Sequence, residues 1–212
     1  IEGSDYNRYT ARINADHDIS KTFRIGVSSL FSKVKTNWGS GSVISEAVNQ
    51  SPLGLPYNAD GEIIFLPISD GIRSNPLSEL VPGKRVDERS VNRVFSSVYV
   101  DVNILEGLKY KFLVGQDYQY FERGIFEGQF TNTRKNGTPY ASLEKAQDFG
   151  YTLENLLTYN KSFSQHALGL TFLQSVAQHN FNTRNSAAAN LPYETSRWHN
   201  LGLRTITSYG SD

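Results

Sequence analysis

Nine polar side chains recur at alternate positions along the chain and carry most of its chemistry: Arg8, Arg12, Arg24, Arg93, Tyr99, Asp101, Lys109, Lys111 and Glu154. Guanidinium, ammonium and carboxylate groups on one sheet face either pair across strands, hold another piece of protein, or meet a solute. None is arranged for catalysis. The four histidines, His17, His166, His179 and His199, show neither HxxxH nor HExxH spacing. His17, between Asp16 and Asp18, reads as part of a solvated turn, His166 comes just after a turn, and His179 and His199 lie in polar sequence read as loop. There is no Gly-x-Ser-x-Gly elbow, P-loop or Gly-rich dinucleotide fingerprint. With no cysteine there is no thiol nucleophile, disulfide framework or cysteine zinc site. The expectation is therefore no enzyme, no catalytic residue, no metal and no cofactor.

Two further groups bear on binding. Trp38, Tyr57 and Phe126 fall in stretches read as long loops, where aromatic rings offer stacking surface to a substrate. Asn58-Ala59-Asp60-Gly61-Glu62 has the oxygen donors of a calcium loop without EF-hand spacing, and it equally suits an ordinary acidic turn whose Asn and Gly tolerate positive φ.

The elements that position these residues are strands. Tyr9, Ala11, Ile13 and Ala15 alternate with polar neighbours, as do Phe23, Ile25 and Val27; Val94 through Ile104; Leu108 through Tyr120, with Gln116 the one polar intruder; Phe149 through Tyr159; and Leu168 through Val176. A period of two over each stretch predicts six strands with one apolar and one polar face. They group into three hairpins with short connections inside each. Long connections, near Thr36 to Ser90 and Glu122 to Gln147, all fall at the opposite end. Val43 to Gln50 suits a short helix in the first long loop, and the prolines from Pro52 onward keep the rest of that loop irregular. Short turns on one side and long loops on the other are the arrangement of outer-membrane barrels, with periplasmic turns and extracellular loops. Tyr9, Tyr118, Tyr120, Phe149 and Tyr151 at the loop ends and Phe23, Tyr110 and Tyr159 near the turns are placed as two interfacial girdles.

Composition agrees without deciding. The 21 basic and 21 acidic residues cancel, which argues against nucleic acid as a partner and against a polybasic membrane anchor. No apolar run approaches the ~18 residues of a membrane helix. The negative mean hydropathy is uninformative for a barrel, whose strands show lipid only every second residue. The opening Ile1-Glu2-Gly3, without initiator Met or signal segment, reads as the interior of a longer protein.

Several stretches together resemble the SusC/RagA family of TonB-linked outer-membrane proteins of Bacteroidota. Tyr6-Asn7-Arg8-Tyr9-Thr10-Ala11-Arg12-Ile13-Asn14-Ala15-Asp16-His17 is similar to an early barrel strand of the family. Ala47-Val48-Asn49-Gln50-Ser51-Pro52 leading to Pro56-Tyr57-Asn58-Ala59-Asp60-Gly61 resembles a loop in which a short helix precedes a proline-bounded segment and an acidic Gly turn. Tyr99-Val100-Asp101-Val102-Asn103-Ile104-Leu105-Glu106-Gly107-Leu108-Lys109-Tyr110 resembles its recurrent hairpin, and Leu153 to Phe163 with the subsequent His166 the next one. The order and spacing extend to about Gln178.

The resemblance implies an all-β fold, an antiparallel meander forming part of a large transmembrane β-barrel of about 22 strands with a plugged lumen. It further implies import of oligosaccharides or peptides at the bacterial outer membrane, driven through TonB, with a SusD-like surface lipoprotein at the extracellular mouth. Residues 1–212 then form one partial barrel domain in the lipid bilayer, and the plug, TonB box and closing strands lie outside it. The nine polar residues would face the lumen, pairing across strands, holding the plug or contacting substrate. The competing reading is a secreted or surface β-rich binding protein or adhesin, whose loops would be short at both ends.

Overall fold

A computed structural model describes residues 3–68, 71–203 and 205–211. One antiparallel sheet runs in chain order through seven strands: β1 (Asp5–Asp18), β2 (Phe23–Asn37), β3 (Arg85–Leu105), β4 (Leu108–Glu127), β5 (Tyr140–Phe163), β6 (His166–Ala189) and β7 (Thr205–Ser211). The six expected strands are all present and pair as expected. β7 is an addition that the sequence did not suggest. It is short and pairs with β6 only over Arg184–Ala189.

Each expected stretch lies inside a longer strand. β5 and β6 run 24 residues each, against the roughly 9–11 that a tilted strand needs to cross a bilayer. The extra length is at the loop ends, where Lys145, Gln147, Asn180 and Asn182 interrupt the alternation that marks a strand in sequence. Consequently the two long connections shrink to residues 38–84 and 128–139. Phe126 is thereby moved from a loop into β4, where its side chain is fully buried, so it offers no stacking surface to a substrate. His17 and His179 are likewise corrected: both lie within strands, paired with Ile25 and Gly150.

Tight turns close the other end. Ser20 Oγ accepts hydrogen bonds from the Thr22 and Phe23 amides, each at 3.1 Å, fixing the β1–β2 turn. Glu106-Gly107 joins β3 to β4 with Gly107 at φ +80°, and a Cβ there would lie 2.1 Å from the Asn160 carbonyl oxygen. Ser164 takes φ +51° between β5 and β6.

The loop end has internal order. The expected helix forms as α1 (Val43–Val48). Asn75 is buried, donates to the Pro56 and Ile64 carbonyls at 2.8 and 2.9 Å, and caps the 3-10 turn Pro76–Leu80. Asn132 ties the two connections together, accepting from Ser74 Oγ at 3.1 Å and donating to Glu46 at 3.2 Å. In the acidic turn, Asn58 Oδ1 accepts from the Asp60 and Glu62 amides at 3.0 and 2.8 Å, so its oxygen is committed to the backbone. Finally, residues 190–203 fold over the strand tips, where Leu191 and Trp198 pack on Phe126, Ala141 and Ala188.

Candidate functional site: two sheet faces and a rim

Directly paired residues in an antiparallel ladder share a face. The row Ala15, Val27, Val98, Val114, Leu153 and Val176 is apolar across six strands. The next row, Asp16, Gly26, Tyr99, Leu113 and Glu154, stands on the other face, as do Arg24, Asp101 and Lys111. Traced through the register, all nine polar residues singled out in the sequence share this second face.

The apolar stretch does not stay level. On β1 it spans Tyr9–Ala15, yet the row that starts at Tyr9 ends at Asn182 on β6, where the stretch instead spans Leu168–Val176. This is a drift of roughly seven residues over five strand steps, and with ~3.3 Å per residue and ~4.8 Å between strands it corresponds to a tilt on the order of 45°. Strands of membrane barrels tilt by this amount. Side chains in the drifting band are uncovered: Ile13, Leu170 and Phe172 are all more than half exposed. Within the band, Ser29 and Ser96 satisfy each other at 2.7 Å, and Tyr151 donates to Gln178 at 2.8 Å at its upper margin.

The polar face is held by cross-strand pairs. Arg24 donates to Asp18 at 2.9 Å, Lys111 lies 3.7 Å from Asp101, Arg93 is bidentate on Asp117 with Nε–Oδ1 at 2.8 Å, and His179 meets Asp148. Tyr99 lies flat over Gly26, where a Cβ would come within 2.3 Å of its ring, and donates to Asp16 while Lys111 sits 4.2 Å from its ring centre. A trough of about 810 Å³ at the turn end is lined by Arg24, Asp101, Lys109 and Lys111 among others. Among the described residues no cluster of His, Asp and Glu is fit to hold a metal ion.

At the loop end the polar face has a rim that the sequence did not reveal. The Trp38 amide donates to the Asp87 carbonyl at 2.9 Å, which carries its indole, 52% exposed, onto this face. The Arg89 guanidinium stacks 4.3 Å from the indole centre. Asp87, only 4% exposed, accepts both Arg123 donors at 2.9 and 2.7 Å and lies 3.5 Å from Arg89 Nε. Arg89 and Arg123 are direct register partners. Sequence reasoning misses them because both fall where alternation fades and assigns no face. Tyr57 stands apart, half exposed in the first loop beside the acidic turn and bridged to Ile63.

On the opposite face of the same strand tips, Gly124 admits the Trp198 indole so closely that a Cβ would meet it at 2.1 Å. Glu194 clasps this segment to the sheet, accepting from Lys84 and from the Gln129 amide, each at 3.0 Å. Burial alone would raise its pKa. The Gln129 N–H and the Lys84 ammonium outweigh that and hold it below its ordinary value.

No protein-family model matches the chain. Its sequence is 30% identical over 181 residues to TonB-dependent receptor P3 of Formosa agariphila, covering 80% of this chain and 18% of the relative. It is 27% identical over 168 residues to TonB-dependent receptor P39 of the same organism, covering 77% of this chain and 15% of the relative. The fold superposes on the RagAB peptide importer in its closed-closed state with TM-score 0.75 at 12% identity, covering 99% of this chain and 24% of that one, and on the open-open state with TM-score 0.73. In sequence the chain is similar to TonB-dependent receptors, and in fold it matches a stretch of the RagAB peptide importer. It spans less than a fifth of the length of the curated relatives it matches. The drifting apolar band, the charged face and the rim are the features on which a functional reading rests.

Proposed function

We propose that residues 1–212 form one stretch of the wall of an outer-membrane importer barrel, with the apolar band against lipid and the charged face lining the lumen. The carrying observation is that the band crosses the sheet obliquely and is covered by no other protein element among the described residues. An adhesin sandwich would bury such a band under a second sheet. The role is transport rather than catalysis, in keeping with relatives named as receptors and with structural neighbours named as peptide importers.

The turns then face the periplasm and the loops the cell exterior. Arg8, Arg12, Arg24, Arg93, Tyr99, Asp101, Lys109, Lys111 and Glu154 face the lumen, and Trp38 and Tyr57 contact an oligosaccharide or peptide cargo arriving from outside. A SusD-like surface lipoprotein covers the extracellular mouth, and TonB acts through parts of the protein beyond this stretch. Epitope tags inserted at Gly61 and Gly107 of the full-length protein test the orientation. Antibody should reach only the Gly61 tag on intact cells; labelling at Gly107 alone would invert the topology.

A further inference from the structure

The charges of the polar face are unevenly placed. Glu144, Asp148 and Glu154 all stand on β5, whereas β1 contributes Arg8 and Arg12 at its loop half. Among the described residues neither Arg8 nor Arg12 has a hydrogen-bond or ion-pair partner. At the rim, one buried carboxylate serves two guanidiniums. Asp87 gives both its oxygens to Arg123, and Glu144, the register partner of Arg123, flanks that arginine from the far side. Arg89 is left as the outer cation of the pair, its buried Nε 3.5 Å from an acid already engaged in a bidentate pair and making no hydrogen bond, so that only its terminal nitrogens are available to a ligand. The acids of the adjoining register row do not compensate it, because Asp5 and Glu88 stand on the opposite face.

Stacking on Trp38 changes what this cation can do. A guanidinium lying over an indole spends its π-face on the ring and keeps its in-plane N–H donors for a planar or tetrahedral oxyanion. The indole meanwhile remains half exposed for the group that carries the anion. Arg8 and Arg12, on the same face two strands away, extend the positive field across the β1–β3 side of the mouth.

We infer that this rim is an anion-recognising subsite, with Arg89 on Trp38 at its centre, and that the cargo bears carboxylate or sulfate groups. The inference rests on the charged face being the lumen of an importer and names the chemical class of what enters it.

The test uses the full-length protein in detergent, labelled with 5-fluorotryptophan, with the Trp38 fluorine line assigned through Trp38→Phe. Sodium acetate and sodium sulfate are titrated separately against chloride at constant ionic strength. A saturable shift of the Trp38 line is expected with at least one oxyanion, weakened at least tenfold in Arg89→Gln, and the tighter of the two ions identifies the group on the cargo. The Trp198 line reports whether the loop-end core is intact. Should Arg89→Gln disturb that line, Arg89→Lys decides, since it keeps the charge while losing the planar fork, and weakening of at least threefold is expected. No saturable shift in the unaltered protein, as when another segment already occupies the rim, overturns the inference. So does a titration that the Arg89 variant reproduces unchanged. Neither result touches the orientation read by the epitope tags, so failure here is distinguishable from failure of the importer reading.

Discussion

The same strands present two different surfaces on one face, one uncovered and one packed under a folded segment. Along the turn half of β4, Phe112 and Val114 join Val98, Val100 and Leu153 in a band that no protein element covers among the described residues. Further along the same face of β4, Phe126 is fully buried and Trp198 is 5% exposed, because residues 190–203 fold back over the strand tips. On the importer reading proposed above, a chain that covers its apolar surface in one half and leaves it open in the other meets two media. Where water is the solvent, folding hides the rings. Where it is not, hydrocarbon takes the place of a core. On that reading the long strands divide into a membrane part and a part that stands outside as a self-supporting wall.

The largest expected effect lies in the covered half. Phe126→Ala removes the centre of its small core and should cost about 3–5 kcal/mol of local stability. The readout is hydrogen exchange, which should rise in residues 128–139 and 190–203 while the turn half of β3 and β4 keeps its protection. A uniform rise along the strands would erase the division.

Charge placed in the open half comes next. Val98→Arg sets a cation in the middle of the apolar row and should cost roughly 2–4 kcal/mol, lowering outer-membrane abundance on immunoblots with transcript levels matched. Ser97→Arg, one residue away on the charged face, should leave abundance near normal. Because strand side chains alternate, an error of one residue in register would exchange the two outcomes.

Gly26→Val tests packing on the charged face. A Cβ at Gly26 would lie 2.3 Å from both Asp16 and the Tyr99 ring, so the ring must leave its seat at a cost of about 1–3 kcal/mol. The urea midpoint for folding into detergent should fall, and pairing Gly26→Val with Tyr99→Ala should restore part of it.

The smallest effect concerns acid. Glu194 has its carboxyl pKa held below the ordinary 4.5, so its contribution to the clasp is present above that value and fades as pH falls through the lowered one. Proteolysis within residues 190–203 should therefore increase only as pH falls below the ordinary glutamate range. Glu194→Gln should flatten that dependence, and an unchanged profile in the variant would assign the acid response elsewhere.

The uncovered half is legible in the sequence because one apolar and one polar face impose strict alternation, visible from Tyr9 to Ala15 and from Val94 to Ile104. The outer half is not. There both faces meet water or folded loops, Lys145 and Gln147 stand where apolar residues would mark a strand, and alternation marks β5 only from Phe149 although the strand begins nine residues earlier at Tyr140. Phe126 is misplaced for the same reason. The nine charged-face residues emerge together because alternation assigns faces. The partners Arg89, Asp87 and Arg123 escape because their meeting depends on register between strands and on a Trp38 that continues from β2 across the sheet edge.

The division itself is tested most directly by spin labels placed singly along β4 of the full-length protein in lipid, which is practicable because this stretch contains no cysteine. Labels at Phe112 and Val114 should be relaxed strongly by oxygen and weakly by a water-soluble nickel chelate, a label at Gly115 should show the reverse, and one at Gly124 should be shielded from both. Equal exposure to the nickel chelate at Val114 and Gly115 would mean that water lies on both sides of the strand, and the band would then not face a membrane.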